Sequence, residues 1–292
     1  MTKNKNSWMG WLFASPYLVF ALVFFLIPLG WSFYLALTDW NLIAPRYNFI
    51  GFSNFVAALL SPSVHSAFFV TYRFLLVFVP SVVVTSLIIA VSINSLPKFK
   101  GLFLTGFFLP YLASGVVASL IINNVLAYNS GFNIFLRQSL NLDINWLGSP
   151  VSALLVVAFI INWRFTGYYA LIISAGLDSI DRPIYEAAAI DGVTGIRRFF
   201  SITLPNIYPS LYTTMILAIG VSFGIFTEIF QLTGGGPNFA TNTWQMEIYT
   251  QAFRNMQAGY ASAVALIAAV VTFISIYIIR KVLEIWGRKN GW

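Results

Sequence analysis

Apolar residues recur along this chain in six long blocks, and polar residues collect in the intervals between them. A helix that crosses a bilayer needs about 20 mostly apolar residues. Blocks of that length run roughly from Trp11 to Leu37, Ala67 to Ile93, Leu102 to Ala127, Val151 to Leu177, Ile207 to Phe230 and Tyr260 to Val282. The pattern predicts an all-α integral membrane protein with six spans and one transmembrane domain over residues 1–292. Pro16 and Pro28 fall in the first block, where they bend or delimit a span without excluding it. That block follows Lys3 and Lys5 as a signal peptide would. Its apolar run is much longer than a signal core of about 7–15 residues, so it reads as a retained span.

Composition agrees. Of 292 residues, 59% are hydrophobic and only 9% charged, with mean hydropathy +0.80; soluble domains carry about 25% charged residues. The absence of cysteine excludes disulfides, thiolate nucleophiles and Cys-ligated metals. The one histidine, His65, excludes histidine clusters and reads as a solvated loop side chain. The net charge of +7 points to membrane topology, not to nucleic acid. With the N-terminus inside, the inner segments hold Lys3, Lys5, Lys98, Lys100, Arg182, Arg197, Arg198, Arg280, Lys281, Arg288 and Lys289. The outer segments hold only Arg46, Arg137 and Arg254. This bias places both ends in the cytoplasm. The outer segments 38–65 and 128–150 mix turn residues with Trp40 and Trp146, as ordered loops at a membrane surface do.

The inner segment between the fourth and fifth blocks, cytoplasmic residues 178–206, is too polar to span yet patterned like structure. Asp181 suits a helix N-cap and Pro183 its first turn. Ile184, Ala187, Ala188 and Asp191 share a helical face, Gly192 suits a left-handed stop, and Thr194 suits the cap of a second short helix with Arg197 and Arg198. From the residues alone, a plain connector and a docking helix with small residues beside Glu186 are about equally supported.

Glu186-Ala187-Ala188, then Gly192, then Ile202-Thr203-Leu204-Pro205 resembles the EAA motif of binding-protein-dependent ABC importers, with the same spacing. Leu232-Thr233-Gly234-Gly235-Gly236-Pro237 with Thr241 is similar to the loop after the penultimate span in permeases of the maltose and glycerol-3-phosphate type. Phe49-Ile50-Gly51-Phe52 with Asn54-Phe55, and Phe108-Leu109-Pro110-Tyr111, extend the likeness over nearly the whole chain. The resemblance implies an ABC type I importer permease-like fold in a prokaryotic cytoplasmic membrane. It implies a second homologous permease subunit, two ATPase subunits, an extracytoplasmic solute-binding protein, and a sugar or polyol as substrate. In it Glu186 pairs with an ATPase arginine, Ala187 and Ala188 allow close docking, and Asp191, Gly192, Leu204 and Pro205 complete the coupling segment. No Gly-Lys dipeptide is present, so there is no P-loop; ATP and magnesium belong to the partner ATPase, and this chain is expected to bind no cofactor or metal.

Charges at membrane depth default to functional candidates. Arg73 lies near the outer end of its span and is long enough to snorkel. Arg164 is more central, and Glu228 lies near the outer end of the fifth span; a pair would neutralise both, and the sequence does not fix their distance. Asn162, Thr166 and Tyr169 lie on one helical face, with Ser222 and Thr227 at comparable depth. Such groups serve a sugar pocket or hydrogen bonding between helices equally well. The resemblance favours the pocket, since maltose-type permeases build it from the spans flanking the EAA loop. Asn162 matches that pattern; Thr166 and Ser222 depart from it, which puts maltose itself in doubt. An ion-coupled secondary transporter is the alternative, but inverted repeats and acidic residues at the span centres are missing from the pattern. An intramembrane enzyme lacks its paired catalytic groups.

Overall fold

The computed structural model describes residues 7–43 and 45–289; Lys3 and Lys5 of the charge pattern lie outside them. Among the described residues the chain is helical, apart from one isolated antiparallel bridge between Thr38 and Phe49. In chain order the helices are α1 Trp8–Ala36, α2 Ser53–Leu60, α3 Pro62–Asn94, α4 Lys100–Leu112, α5 Gly115–Leu126, α6 Gly131–Leu140 and α7 Pro150–Asp178. They continue as α8 Arg182–Ile190, α9 Gly195–Asn206, α10 Tyr208–Gly224, α11 Thr227–Leu232, α12 Trp244–Tyr249 and α13 Ala258–Lys289. Four of these are long and apolar enough to cross a membrane, and six crossings result if each of two sharply bent helix pairs is one span.

The chain divides into two compact units, one formed by residues up to Val64 with Ile248–Ala269, the other by His65–Glu247 with the rest of α13. In the first unit, α1 is apolar on every side and almost wholly exposed, the surface that lipid solvates. Pro28 has no N–H to offer the preceding turn, and a widened turn over Leu22–Leu26 absorbs the defect. Beyond α1, the Asn54 amide donates to the Ala36 and Thr38 carbonyls at 2.9 and 2.8 Å, satisfying the helix end. Asp39 accepts from the Asn48 backbone and side chain, which hold its carboxyl below its ordinary pKa. The described part of segment 38–65 is thus ordered, as its residues suggested, but it also contains α2 and the start of α3. His65 stands exposed in the first turn of α3, not in a loop, because Pro62 opens that helix.

In the second unit, Ala90, Ala170, Ile173, Leu177, Ile207 and Leu211 form a buried cluster where α3, α7 and α10 meet. Two expected spans are interrupted. The third breaks between α4 and α5, at a bend of 93°. Ala113 is extended, and the Ser114 hydroxyl caps the next helix by accepting from the Val117 N–H at 3.3 Å. The fifth does not continue from Ile207 to Phe230; it ends at Gly224 and resumes as α11. Carbonyls freed at this second break find partners: Phe223 accepts from the Trp244 indole at 3.0 Å and Ile225 from the Thr243 hydroxyl at 3.3 Å. The Gly234–Pro237 segment is a tight turn whose chain then folds back, so that Thr241, Asn242, Thr243 and Trp244 are buried. Thr233 and Thr241 bond through their hydroxyls at 2.7 Å, and Thr241 also donates to the Gly236 carbonyl.

Candidate functional site

Segment 178–206 has the predicted helical shape. Asp181 occupies the N-cap position of α8 without a side-chain bond, and Pro183 lies in the first turn. At the other end, the Gly192 N–H donates to the Ala189 carbonyl at 3.1 Å and the Val193 N–H to the Ala188 carbonyl at 2.8 Å. These two bonds define a Schellman stop, and Gly192 adopts the φ of +69° that it requires. The face drawn from Ile184, Ala187, Ala188 and Asp191 is less buried than its pattern suggests: only Ala188 is covered. Glu186 and Ala187 are exposed, and Ile190 is 87% exposed at the tip. Leu204 and Pro205, at the end of α9, are half-buried. Tyr185 ties the two inner helices together through the Thr203 hydroxyl at 3.2 Å, and Arg198 lies over its ring. Between these helices and the inner ends of α3 and α7 lies an open groove of about 650 Å³, walled by Asn94, Leu177, Glu186 and Arg198 among others.

The polar face of α7 turns toward α3. The Asn162 amide donates to Ser81 and accepts from Thr85, each at 2.9 Å. The Thr166 hydroxyl lies 2.6 Å from the Asn162 side-chain oxygen, and Ser86 donates to the Thr166 carbonyl at 3.0 Å. Tyr169 is fully buried, with no partner for its hydroxyl. Ser222 is buried and donates to the Ala218 carbonyl one turn back. The partners Ser81 and Thr85 went unnoticed in the sequence; their i, i+4 spacing within an apolar span was the available signal.

Arg164 and Glu228 do pair, across the second unit and nearly out of solvent: their side chains are 11% and 9% exposed. The Arg164 guanidinium also donates to the Ala113 carbonyl at 2.9 Å, at the break of the third span. Beside this pair, and beside Thr227, is a cavity of about 230 Å³ that borders the second break. Tyr111 stacks on Tyr168 with ring centres 4.7 Å apart, and Phe165 touches Tyr111 and Tyr169. Among the described residues no cluster of metal-ligating side chains is present.

Interrupted apolar spans around a buried polar junction, beside an exposed capped helix, suit a membrane transport protein. Residues 50–285 match the family described as binding-protein-dependent transport system inner membrane component, and the chain belongs to it. The multiple sugar-binding transport system permease protein of Streptococcus mutans is 32% identical over 92% of this chain and 93% of its own length. The lactose transport system permease protein of Rhizobium radiobacter is 34% identical over 93% and 94%. In fold the chain is similar to a bacterial ABC transporter involved in import of the acidic polysaccharide alginate. The TM-score is 0.82 at 20% identity, covering 98% of this chain and 97% of that one. The protein is therefore a multi-pass inner-membrane permease of an ABC importer and not an enzyme; ATP hydrolysis belongs to a separate subunit in such systems.

Proposed function

We propose that this chain is one half of the path of a carbohydrate importer, paired with a homologous permease and docked through α8 on one of two ATPase subunits. A solute-binding protein delivers the substrate from outside. The exposed, Schellman-closed α8 with Glu186 carries the coupling part of this reading. The sugar-transport names of the Streptococcus and Rhizobium relatives support the substrate class. Glu186, Ala187, Ala188, Asp191 and Gly192 form the docking surface, with Leu204 and Pro205 behind it.

Arg164, Thr227 and Glu228 border the path at the second break. Asn162 and Thr166 line a separate cavity of about 560 Å³ between α3, α4 and α7, with their polar atoms bonded to neighbours, while Tyr169 and Ser222 are buried away from both cavities. Arg164 is neutralised by Glu228, which favours a neutral saccharide or polyol over an acidic one. The assembled importer in proteoliposomes is expected to take up neutral oligosaccharides from a panel that also holds uronic-acid oligomers and amino acids. Uptake of amino acids alone would overturn the carbohydrate reading. Asn162→Leu removes the bonds between α7 and α3 but leaves the Ser81 and Thr85 hydroxyls on carbonyls of their own helix, so it is expected to cost about 0.5–1.5 kcal/mol of stability, seen as a lower melting temperature with unchanged substrate affinity. A lower affinity at full stability would put Asn162 in the pocket instead.

The orientation has both termini in the cytoplasm. The chain has no cysteine, so Ile196→Cys and Phe239→Cys give clean reporters on two exposed sites. A membrane-impermeant maleimide is expected to label Phe239→Cys in intact cells and Ile196→Cys only after lysis. The opposite result would invert the topology.

A further inference from the structure

The coupling helix and the buried ion pair are joined by one rigid element. α7 carries Arg164, crosses α4 at Gly167, ends at Asp178, and after two residues beyond Ser179 becomes α8. α4 runs antiparallel along it and is held at three levels. Lys100 at its start pairs with Asp178. The Phe107 carbonyl lies in the space that a side chain on Gly167 would fill. The Ala113 carbonyl, just past its end, accepts from Arg164. Main-chain packing at Gly167 joins the two helices into one body, to which the partly exposed Lys100–Asp178 pair adds little.

Arg164 leaves that body to meet Glu228 on α11. The Glu228 carboxylate in turn lies against the start of α5: a Cβ built on Gly115 would stand 2.6 Å from its Oε1. The cation thus sits at the C-terminal end of α4 and the anion at the N-terminal end of α5, each where the helix dipole favours it. Arg164 Nε is buried without a partner, so the junction holds hydrogen-bonding capacity it does not use. Among the described residues this is the ion pair that ties the α4–α7 body to α11 across two broken spans.

We propose that the Arg164–Glu228 contact is a releasable clasp across both helix breaks, closed when the ATPase is empty and parted when ATP closure moves α8. Release widens the cavity bordered by Phe165, Gly224 and Thr227, and water or substrate hydroxyls take the vacated hydrogen bonds. This rests on the chain's being an importer permease and is independent of which solute it carries. It makes Arg164 and Glu228 positioning residues that set the balance between two conformations.

The test uses the assembled importer in lipid, with spin labels on Trp163→Cys in α7 and Val117→Cys in α5. Both positions are exposed and outside the clasp. The label distance is expected to change between the nucleotide-free complex and one held with ATP by a hydrolysis-deficient ATPase. Glu228→Gln and Arg164→Gln are expected to show the ATP-type distance without nucleotide. They should also raise ATP hydrolysis without binding protein about tenfold, the shift that loss of one charge-assisted hydrogen bond gives an equilibrium. Arg164→Lys keeps the charge and is expected to keep hydrolysis low. An unchanged wild-type distance in the two states overturns the clasp. So does ordinary basal hydrolysis in a Glu228→Gln complex that assembles normally. Neither result bears on the carbohydrate reading.

Discussion

Gly167→Ala is expected to abolish most of the folded, membrane-inserted protein. By helix propensity alone the change would stabilise α7 by about 1 kcal/mol. The packing reverses the sign. An added Cβ would fall on the Phe107 carbonyl and stand 2.7 Å from the Phe108 nitrogen, both main-chain atoms of α4. A side chain can rotate away; a helix backbone has to move as a whole. Overpacking of a core costs about 1–3 kcal/mol when side chains absorb it. Here separation of α4 from α7 also loosens the Lys100–Asp178 and Arg164–Ala113 contacts at the two ends. The combined cost is a large share of the roughly 5–15 kcal/mol that holds a native protein together. Gly220→Ala, in α10, is the control. An added Cβ there meets nothing within 4 Å, so the change should be harmless by comparison. Yield and melting temperature in detergent measure both. A Gly167→Ala protein that melts with wild type would mean that α4 and α7 are not in close contact.

The apolar blocks and the capped short helix of segment 178–206 were legible because each rests on a local signal. Hydropathy is a property of side chains, and α3, α7 and α13 follow it closely. Asp181, Pro183 and Gly192 fix a short helix through cap and stop preferences that act within a few residues. The two breaks were hidden for the same reason. Ala113-Ser114-Gly115 and Gly224-Ile225-Phe226 are apolar enough to pass through any hydropathy window, and what ends the helices there is backbone geometry. Ser114 was the one cap residue in that run, and it lies inside a stretch otherwise read as continuous. The direction of the α7 polar face was not legible either. Asn162 and Thr166 share a face by periodicity, but only the fold shows that the face meets Ser81 and Thr85. The Arg164–Glu228 pair spans 64 residues of chain, and no local pattern carries a contact of that range.

Reversing the charge at Glu186 is expected to uncouple the importer while leaving the chain in the membrane. Glu186 is exposed on α8 and makes no bond on which the chain's own fold depends, so Glu186→Lys should insert and accumulate normally. If it faces an arginine of the ATPase, as the EAA resemblance implies, lysine replaces a charge-assisted hydrogen bond with repulsion and leaves that arginine unpaired. Truncating one partner of such a pair costs about 2–5 kcal/mol, so ATPase affinity should fall by about 30-fold or more. Gly192 tests the backbone half of the same surface. A β-branched residue at a φ of +69° is strained by steric contact with its own carbonyl. Gly192→Val should therefore break the two bonds that stop α8 and misdirect Glu186 without touching a span. Asparagine tolerates that region, so Gly192→Asn should retain much of the coupling. Co-purification of the ATPase and substrate-stimulated hydrolysis read both series. The expected order is wild type, then Gly192→Asn, with Gly192→Val and Glu186→Lys near background. Full stimulation in Glu186→Lys would remove α8 as the charged contact and shift coupling to the Arg197–Arg198 helix beyond it.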